Sequence, residues 1–81
     1  MSISVEISYY PLNNEFISPI RQFIDRINKY SEIKAVTNGM STQVFGTYSD
    51  VMRILTKEIE ISMKNPHSVF IMKLVNADLQ N

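Results

Sequence analysis

The sequence predicts an α+β fold of the ferredoxin-like type, β-α-β-β-α-β, with a four-stranded antiparallel sheet and two helices on one face. Three observations carry this. Residues 2–10 alternate apolar and polar side chains with period two, and two later segments repeat apolar residues at helical spacing. Between those segments an Asn38-Gly39 pair separates two short β-prone runs. Right-handed crossovers then leave both helices on the same side of one sheet.

The first strand covers residues 2–10. Ile3, Val5, Ile7 and Tyr9 share one face; Ser4, Glu6, Ser8 and Tyr10 share the other. Pro11 ends it, and Leu12-Asn13-Asn14 forms a loop. Residues 19–30 read as a helix, because Ile20, Phe23, Ile24 and Ile27 form one stripe. Ser18 suits the N-cap and Pro19 the first helical position. Residues 32–46 read as a hairpin, with Asn38-Gly39 as a two-residue type I′ turn whose central residues both take positive φ. That turn sets Thr37 opposite Met40 and Ala35 opposite Thr42. Residues 50–64 form the second helix, capped by Ser49 and stopped by Asn65-Pro66. The last strand, 68–76, is apolar on both faces except at Lys73, the pattern of a central strand or one covered on both sides. The polar tail 77–81 is expected to fray.

The helices should cover Val5, Ile7, Ile33, Ala35 and Val44. The opposite face mixes Ser4, Glu6, Ser8, Tyr10, Lys34, Ser41, Gln43, Phe45 and Lys73 with Val69, Ile71 and Val75. A half-apolar open face on so small a protein calls for a cover, and a second subunit is the simplest one.

Composition removes several function classes. With 81 residues, residues 1–81 form one domain, whose small core favours oligomerisation. Eight Lys+Arg balance eight Asp+Glu, which disfavours a nucleic-acid partner held by electrostatics. The absence of cysteine excludes disulfides, thiolate metal sites and thiol catalysis. No stretch reaches the ~20 apolar residues of a membrane-spanning helix, and the N-terminus lacks a basic leader, so a cytoplasmic soluble protein is expected. The loop Pro11-Leu12-Asn13-Asn14 has neither the glycine nor the arginine of an anion cradle. His67 is the only histidine, and nothing stands at ligand spacing from it, so no metal or cofactor is expected. The third strand lacks the Lys/Arg-Gly-Phe pattern of base-stacking RNA domains.

Two segments retain chemical interest: Ser8-Tyr9-Tyr10-Pro11-Leu12 and residues 37–46. In the second, Thr37, Asn38, Ser41, Thr42 and Gln43 offer neutral donors and acceptors beside Met40 and Phe45. Such a mixture suits a small heterocycle better than a phosphate or a metal. It is equally ordinary hairpin chemistry, with Asn-Gly for the turn and threonine for β propensity. The residues alone do not separate these readings. Glu58 falls inside the apolar stripe of the second helix, as a buried partner of Lys34 or Lys73, as a residue at a stripe edge that lies elsewhere, or as a functional carboxylate. An enzyme using Glu6 or Glu58 as a base would lack a paired acid and an activated nucleophile.

The ends of these segments resemble a known family. Ser8, Tyr10, Pro11 and Leu12 fit a Ser-x-Tyr-Pro-Leu/Met strand end, and Thr37, Ser41, Thr42 and Gly46 fit a Thr-x-x-x-Ser-Thr-x-x-x-Gly hairpin. Both motifs, in this element order, are similar to the YkoF-type and related thiamine-binding proteins, also described as an MTH-type family of unknown function. The resemblance implies a non-enzymatic domain that binds thiamine or its hydroxymethylpyrimidine half and assembles into dimers or tetramers through its sheets. On that reading Thr37, Ser41 and Thr42 hydrogen-bond the ligand, Tyr10 and Met40 pack on its ring, Asn38 and Gly39 shape the turn, Gln43 serves ligand or interface, and Ser8 also belongs to the ligand-binding set. Glu6 and Glu58 are candidates to face a thiazolium cation. The rival is a purely structural or regulatory oligomerisation module of the ACT type.

Overall fold

The computed structural model describes residues 1–80. Its elements run β1 (Ser2–Pro11), α1 (Ile17–Ile27), β2 (Lys34–Thr37), β3 (Thr42–Thr47), α2 (Tyr48–Ser62) and β4 (Ser68–Val75). The strands form one antiparallel sheet in the order β2-β3-β1-β4. This is the predicted ferredoxin-like architecture. Among the described residues, no helix is long and apolar enough to cross a membrane.

The alternation in β1 works as expected. Ile3, Val5, Ile7 and Tyr9 are buried with Phe23 and Ile27 of α1, Val44 of β3, and Val51 and Leu55 of α2. Tyr9, Phe23 and Phe70 form an aromatic group, with Tyr9 and Phe70 stacked at 4.3 Å between centroids and Tyr9 meeting Phe23 edge-on at 5.9 Å. Gly46 lets α2 approach: a Cβ there would lie 3.1 Å from Val51 Cγ2 and 3.3 Å from Ile33 Cγ2.

Several local expectations are corrected. Helix α1 starts at Ile17, so Ser18 and Pro19 lie inside its first turn. Proline fits there because the first N–H groups of a helix have no intrahelical acceptor. Phe16 occupies the N-cap without a side-chain bond, and the Ser18 amide donates instead to Glu15 Oε1 at 3.2 Å. Helix α2 is capped by Thr47, whose hydroxyl accepts from the Asp50 amide at 3.3 Å, and not by Ser49.

The hairpin turn also differs. Thr37 pairs with Thr42 and Ala35 with Val44, so residues 38–41 form a four-residue loop. Neither Asn38 nor Gly39 takes a positive φ. The Asn38 side chain replaces that device, its Oδ1 accepting from the Met40 and Ser41 amides at 2.8 and 3.2 Å. The register moves by two residues, an even step, so each predicted side chain keeps its face.

Strand β4 is an edge strand, not a central or doubly covered one. Helix α1 packs over β1, and α2 over β3 and β1. Met72 and Leu74, on the helix side of β4, therefore remain exposed, as does Ile71 on the open side. The tail is held rather than frayed over residues 77–79. The Ser4 hydroxyl donates to the Ala77 carbonyl at 2.7 Å and accepts from the Leu79 amide at 2.8 Å, on the open face. Asn81, at the end of that predicted tail, lies outside the described residues.

Candidate functional site

The site forms where β1 outruns its neighbour. The β1–β3 ladder ends at Ile7 opposite Thr42, while β1 continues to Pro11 alongside β4. Two hydrogen bonds fix which way the backbone points. The Leu12 amide bonds the His67 carbonyl at 2.7 Å, and the Tyr48 amide bonds the Met1 carbonyl at 2.8 Å. Bonded pairs alternate along an antiparallel ladder. Even-numbered residues of β1 thus address β4, and odd-numbered ones address β3. Past Ile7, the N–H and C=O of Tyr9 and the C=O of Pro11 point to the β3 side with no strand opposite. Pro11 is tolerated because its missing N–H would have no ladder partner.

Those groups border a cleft of about 400 Å³ between the end of β1, the first half of α1 and the β2–β3 loop. Its apolar wall comes from Ile7, Phe16, Ile20, Phe23 and Ile24, and its opposite rim from residues 37–42. The size lies within the usual range of small-ligand sites. Among the described residues lining it, none carries a formal charge. No group of His, Cys, Asp or Glu among the described residues is placed to hold a metal ion.

Of the residues singled out in the sequence, Ser8, Tyr10, Thr37, Asn38, Met40, Ser41 and Thr42 border this cleft. Gln43 does not; its amide donates to the Ser41 hydroxyl at 3.1 Å. The side chains divide between the two faces of the sheet. Thr37 and Thr42 face the helices, with their hydroxyls 2.9 Å apart and Thr42 buried. Met40 is 86% exposed on the loop at the cleft rim. Ser8 and Tyr10 stand on the open-face side of β1, where Tyr10 is half exposed. The Ser41 hydroxyl is committed to Glu6, donating to its Oε2 at 2.9 Å. That hydrogen bond and Lys73, 3.4 Å from Glu6 Oε1, hold the Glu6 carboxyl below the usual carboxylate range. Glu6 is thus one hydroxyl away from the cleft, outside its lining.

Glu58 belongs elsewhere, and neither lysine is its partner. It is 3% exposed between the helices, with Arg26 Nε donating to Oε1 at 2.6 Å and the Tyr30 hydroxyl donating to Oε2 at 2.6 Å. Arg26 also donates to the Glu58 carbonyl and to the Ser62 hydroxyl. Burial pushes the Glu58 carboxyl up, but the bonds from Tyr30 and Arg26 and the Arg26 charge outweigh it and hold the carboxyl low. The bond to Glu58 raises Tyr30. The cluster clamps α1 to α2 on the side away from the cleft lining.

Sequence reasoning missed the apolar half of the site. Ile20, Phe23 and Ile24 had been assigned only to the core-facing stripe of α1. Their helical spacing gave no sign that β3 stops short beneath them. Phe16 was hidden by the later helix start expected at Pro19.

No family model matches the chain, and no curated protein matches it. Solved structures do. A protein of Streptococcus pneumoniae superposes with a TM-score of 0.88 at 21% identity, over 98% of this chain and 90% of that one. A Thermotoga maritima protein assigned provisionally to thiamine biosynthesis or salvage gives 0.81 at 16% identity, over 99% and 85%. A domain of unknown function from Bacillus cereus gives 0.77 at 11%, over 99% and 80%. At these identities, what the chain shares with them is the fold.

Proposed function

We propose that this protein is a non-enzymatic binder of a small heterocycle, with thiamine or its hydroxymethylpyrimidine half as the ligand, acting as a homo-oligomer. The observation that carries the reading is the cleft itself. The β1 end and the β2–β3 loop, far apart in sequence and both marked by their residues, border one cavity. An aminopyrimidine offers a donor amine beside a ring-nitrogen acceptor. The Tyr9 C=O and N–H form a matching acceptor and donor on one residue, and the Thr37–Thr42 hydroxyl pair can exchange its internal bond for one to the ring. Phe16, Phe23 and Met40 supply polarisable apolar surface for a flat ring. The uncharged lining favours the unphosphorylated ligand, since a phosphate would need cationic or anion-nest partners. The resemblance of the two motifs to thiamine-binding proteins and the assignment of the Thermotoga neighbour point the same way. The open face, with Tyr10, Val36, Val69 and Ile71 exposed, is the surface through which copies stack.

Calorimetric titration with thiamine and with hydroxymethylpyrimidine tests this. A ligand at 100 times its Kd stabilises the fold by about 2.7 kcal/mol. Replacing Thr37 and Thr42 together with valine keeps their shape and removes both hydroxyls. It should weaken binding about tenfold or more, the equivalent of 1.4 kcal/mol. Absence of both heat and thermal stabilisation at millimolar concentrations of either compound would overturn the reading and leave the oligomerisation module standing.

A further inference from the structure

We propose that Asn38-Gly39, on the rim of the cleft, is a self-modification site, where the folded loop promotes closure of the Asn38 side chain onto the Gly39 amide and its conversion to aspartate or isoaspartate. The chemistry does not depend on what the cleft binds.

The loop presents the reacting groups. The Asn38 amide donates to the Ser41 carbonyl at 3.1 Å, and the Met40 and Ser41 amides donate to Asn38 Oδ1 at 2.8 and 3.2 Å. Of the loop amides, that of Gly39 alone donates to no group among the described residues. It is the free nucleophile. The bond from the Met40 amide to Oδ1 closes a compact ring. That ring already contains every atom of the succinimide: the Gly39 nitrogen with the carbonyl carbon, Cα, Cβ and Cγ of Asn38. Attack on Cγ therefore starts from neighbouring groups and needs no unfolding of the loop. The two donors on Oδ1 polarise Cγ and stand where negative charge grows as the nitrogen attacks, which is the arrangement of an oxyanion hole.

The surroundings leave room for the reaction. Asn38 and Gly39 are both exposed, so water reaches them. A Cβ built on Gly39 would meet nothing within 4 Å. The other asparagines lack these conditions. Asn13, Asn14, Asn28 and Asn76 precede residues with side chains, and Asn65 precedes Pro66, which has no N–H to attack. The Asn28 side chain is also tied to the Ile24 carbonyl at 2.8 Å.

The steps balance with water alone. Hydroxide takes the Gly39 amide proton, and the nitrogen forms a bond to Cγ. The intermediate expels Nδ2, which takes a proton from water and leaves as ammonia. Water then opens the succinimide. Breaking the nitrogen–Cγ bond gives aspartate at position 38; breaking the bond to the Asn38 carbonyl carbon gives isoaspartate, with the main chain rerouted through Cβ. Either product sets a carboxylate on a rim whose described lining otherwise carries no formal charge. Isoaspartate also adds a methylene to the loop that joins Thr37 to Thr42.

Incubation of the intact protein at mildly alkaline pH tests the proposal. The mass should rise by about 1 Da as an amide becomes an acid. Peptide mapping should place the change at position 38, and isoaspartyl-specific methylation should label the same peptide. The folded chain should convert at least about threefold faster than the same chain unfolded in guanidinium, where Oδ1 has lost its donors. Gly39→Ala should slow conversion about tenfold, since its methyl crowds the attacking nitrogen, and should keep the circular dichroism spectrum, since the space around it is open. A constant mass would overturn the proposal, as would a gain that maps to another asparagine. Conversion as fast or faster in the unfolded chain would overturn it as well, because the loop would then promote nothing.

Discussion

Glu58→Ala probes the link between buried polar chemistry and stability in this fold. The change deletes two charge-assisted hydrogen bonds of 2.6 Å, from Arg26 and Tyr30. Breaking a fully buried ion pair costs about 3–5 kcal/mol. Here the Arg26 side chain is 25% exposed and keeps its bond to Ser62, so water recovers part of that cost. The expected loss is about 2–3 kcal/mol. For a chain of this size that lowers Tm by about 10–20 °C. Urea unfolding followed by circular dichroism, at one fixed protein concentration, measures it. The pH dependence adds a sign. Because the folded state holds the Glu58 carboxyl low, its stabilisation is full above the ordinary carboxylate pKa and fades as pH falls through the lower, folded value. The alanine variant should therefore show a flatter acid limb than the parent. A loss under about 0.5 kcal/mol, the scatter of ordinary surface changes, would refute the reasoning. So would an acid limb identical in the two proteins.

Three further outcomes are expected. Phe23→Ala should cost about 3–5 kcal/mol in urea unfolding, since it empties the aromatic group with Tyr9 and Phe70 and also removes the cleft wall. Gly46→Ala should cost about 1–3 kcal/mol, because the new methyl presses on Val51 and Ile33 at 3.1 and 3.3 Å; thermal unfolding reads it. Ser4→Ala should leave the sheet intact but free the tail, seen as faster exchange at the Leu79 amide and easier proteolysis after Ala77.

The elements were legible because their signals are local and repeated. Period two in β1 and the stripes Ile20–Ile27 and Val51–Ile59 survive any small shift of boundary. Which faces the hairpin residues share was also legible, since the register error at Asn38 was even. Other features were not, because they depend on what lies next door. Whether Asn38 takes a left-handed conformation or turns its side chain onto the Met40 and Ser41 amides is decided by the loop length the sheet imposes. Apolar residues on both faces of β4 read as burial, yet the strand lies at the edge of the sheet, where Phe70 packs on Phe23 of α1 while Ile71, Met72 and Leu74 stay exposed. Glu58 was recognised as buried, but its partners lie on α1, a helix–helix packing that no spacing within α2 reveals. The cleft was half legible: its polar rim is a motif, whereas its apolar wall is merely the end of a core stripe.

The two ladders of β1 have a consequence for how the chain comes to be folded. The strand that anchors the sheet is made first, yet Ser4 must meet Val75 and Ile7 must meet Thr42. Contacts so distant along the chain are slow to form, since loop closure comes before any reward from pairing. During synthesis β1 therefore waits with its alternating apolar residues unpaired until β3 is made, and the sheet stays incomplete until β4 follows. Over that interval the nascent chain depends on whatever shields an exposed β-strand, and a pause in translation just before Ser68 would prolong the exposure.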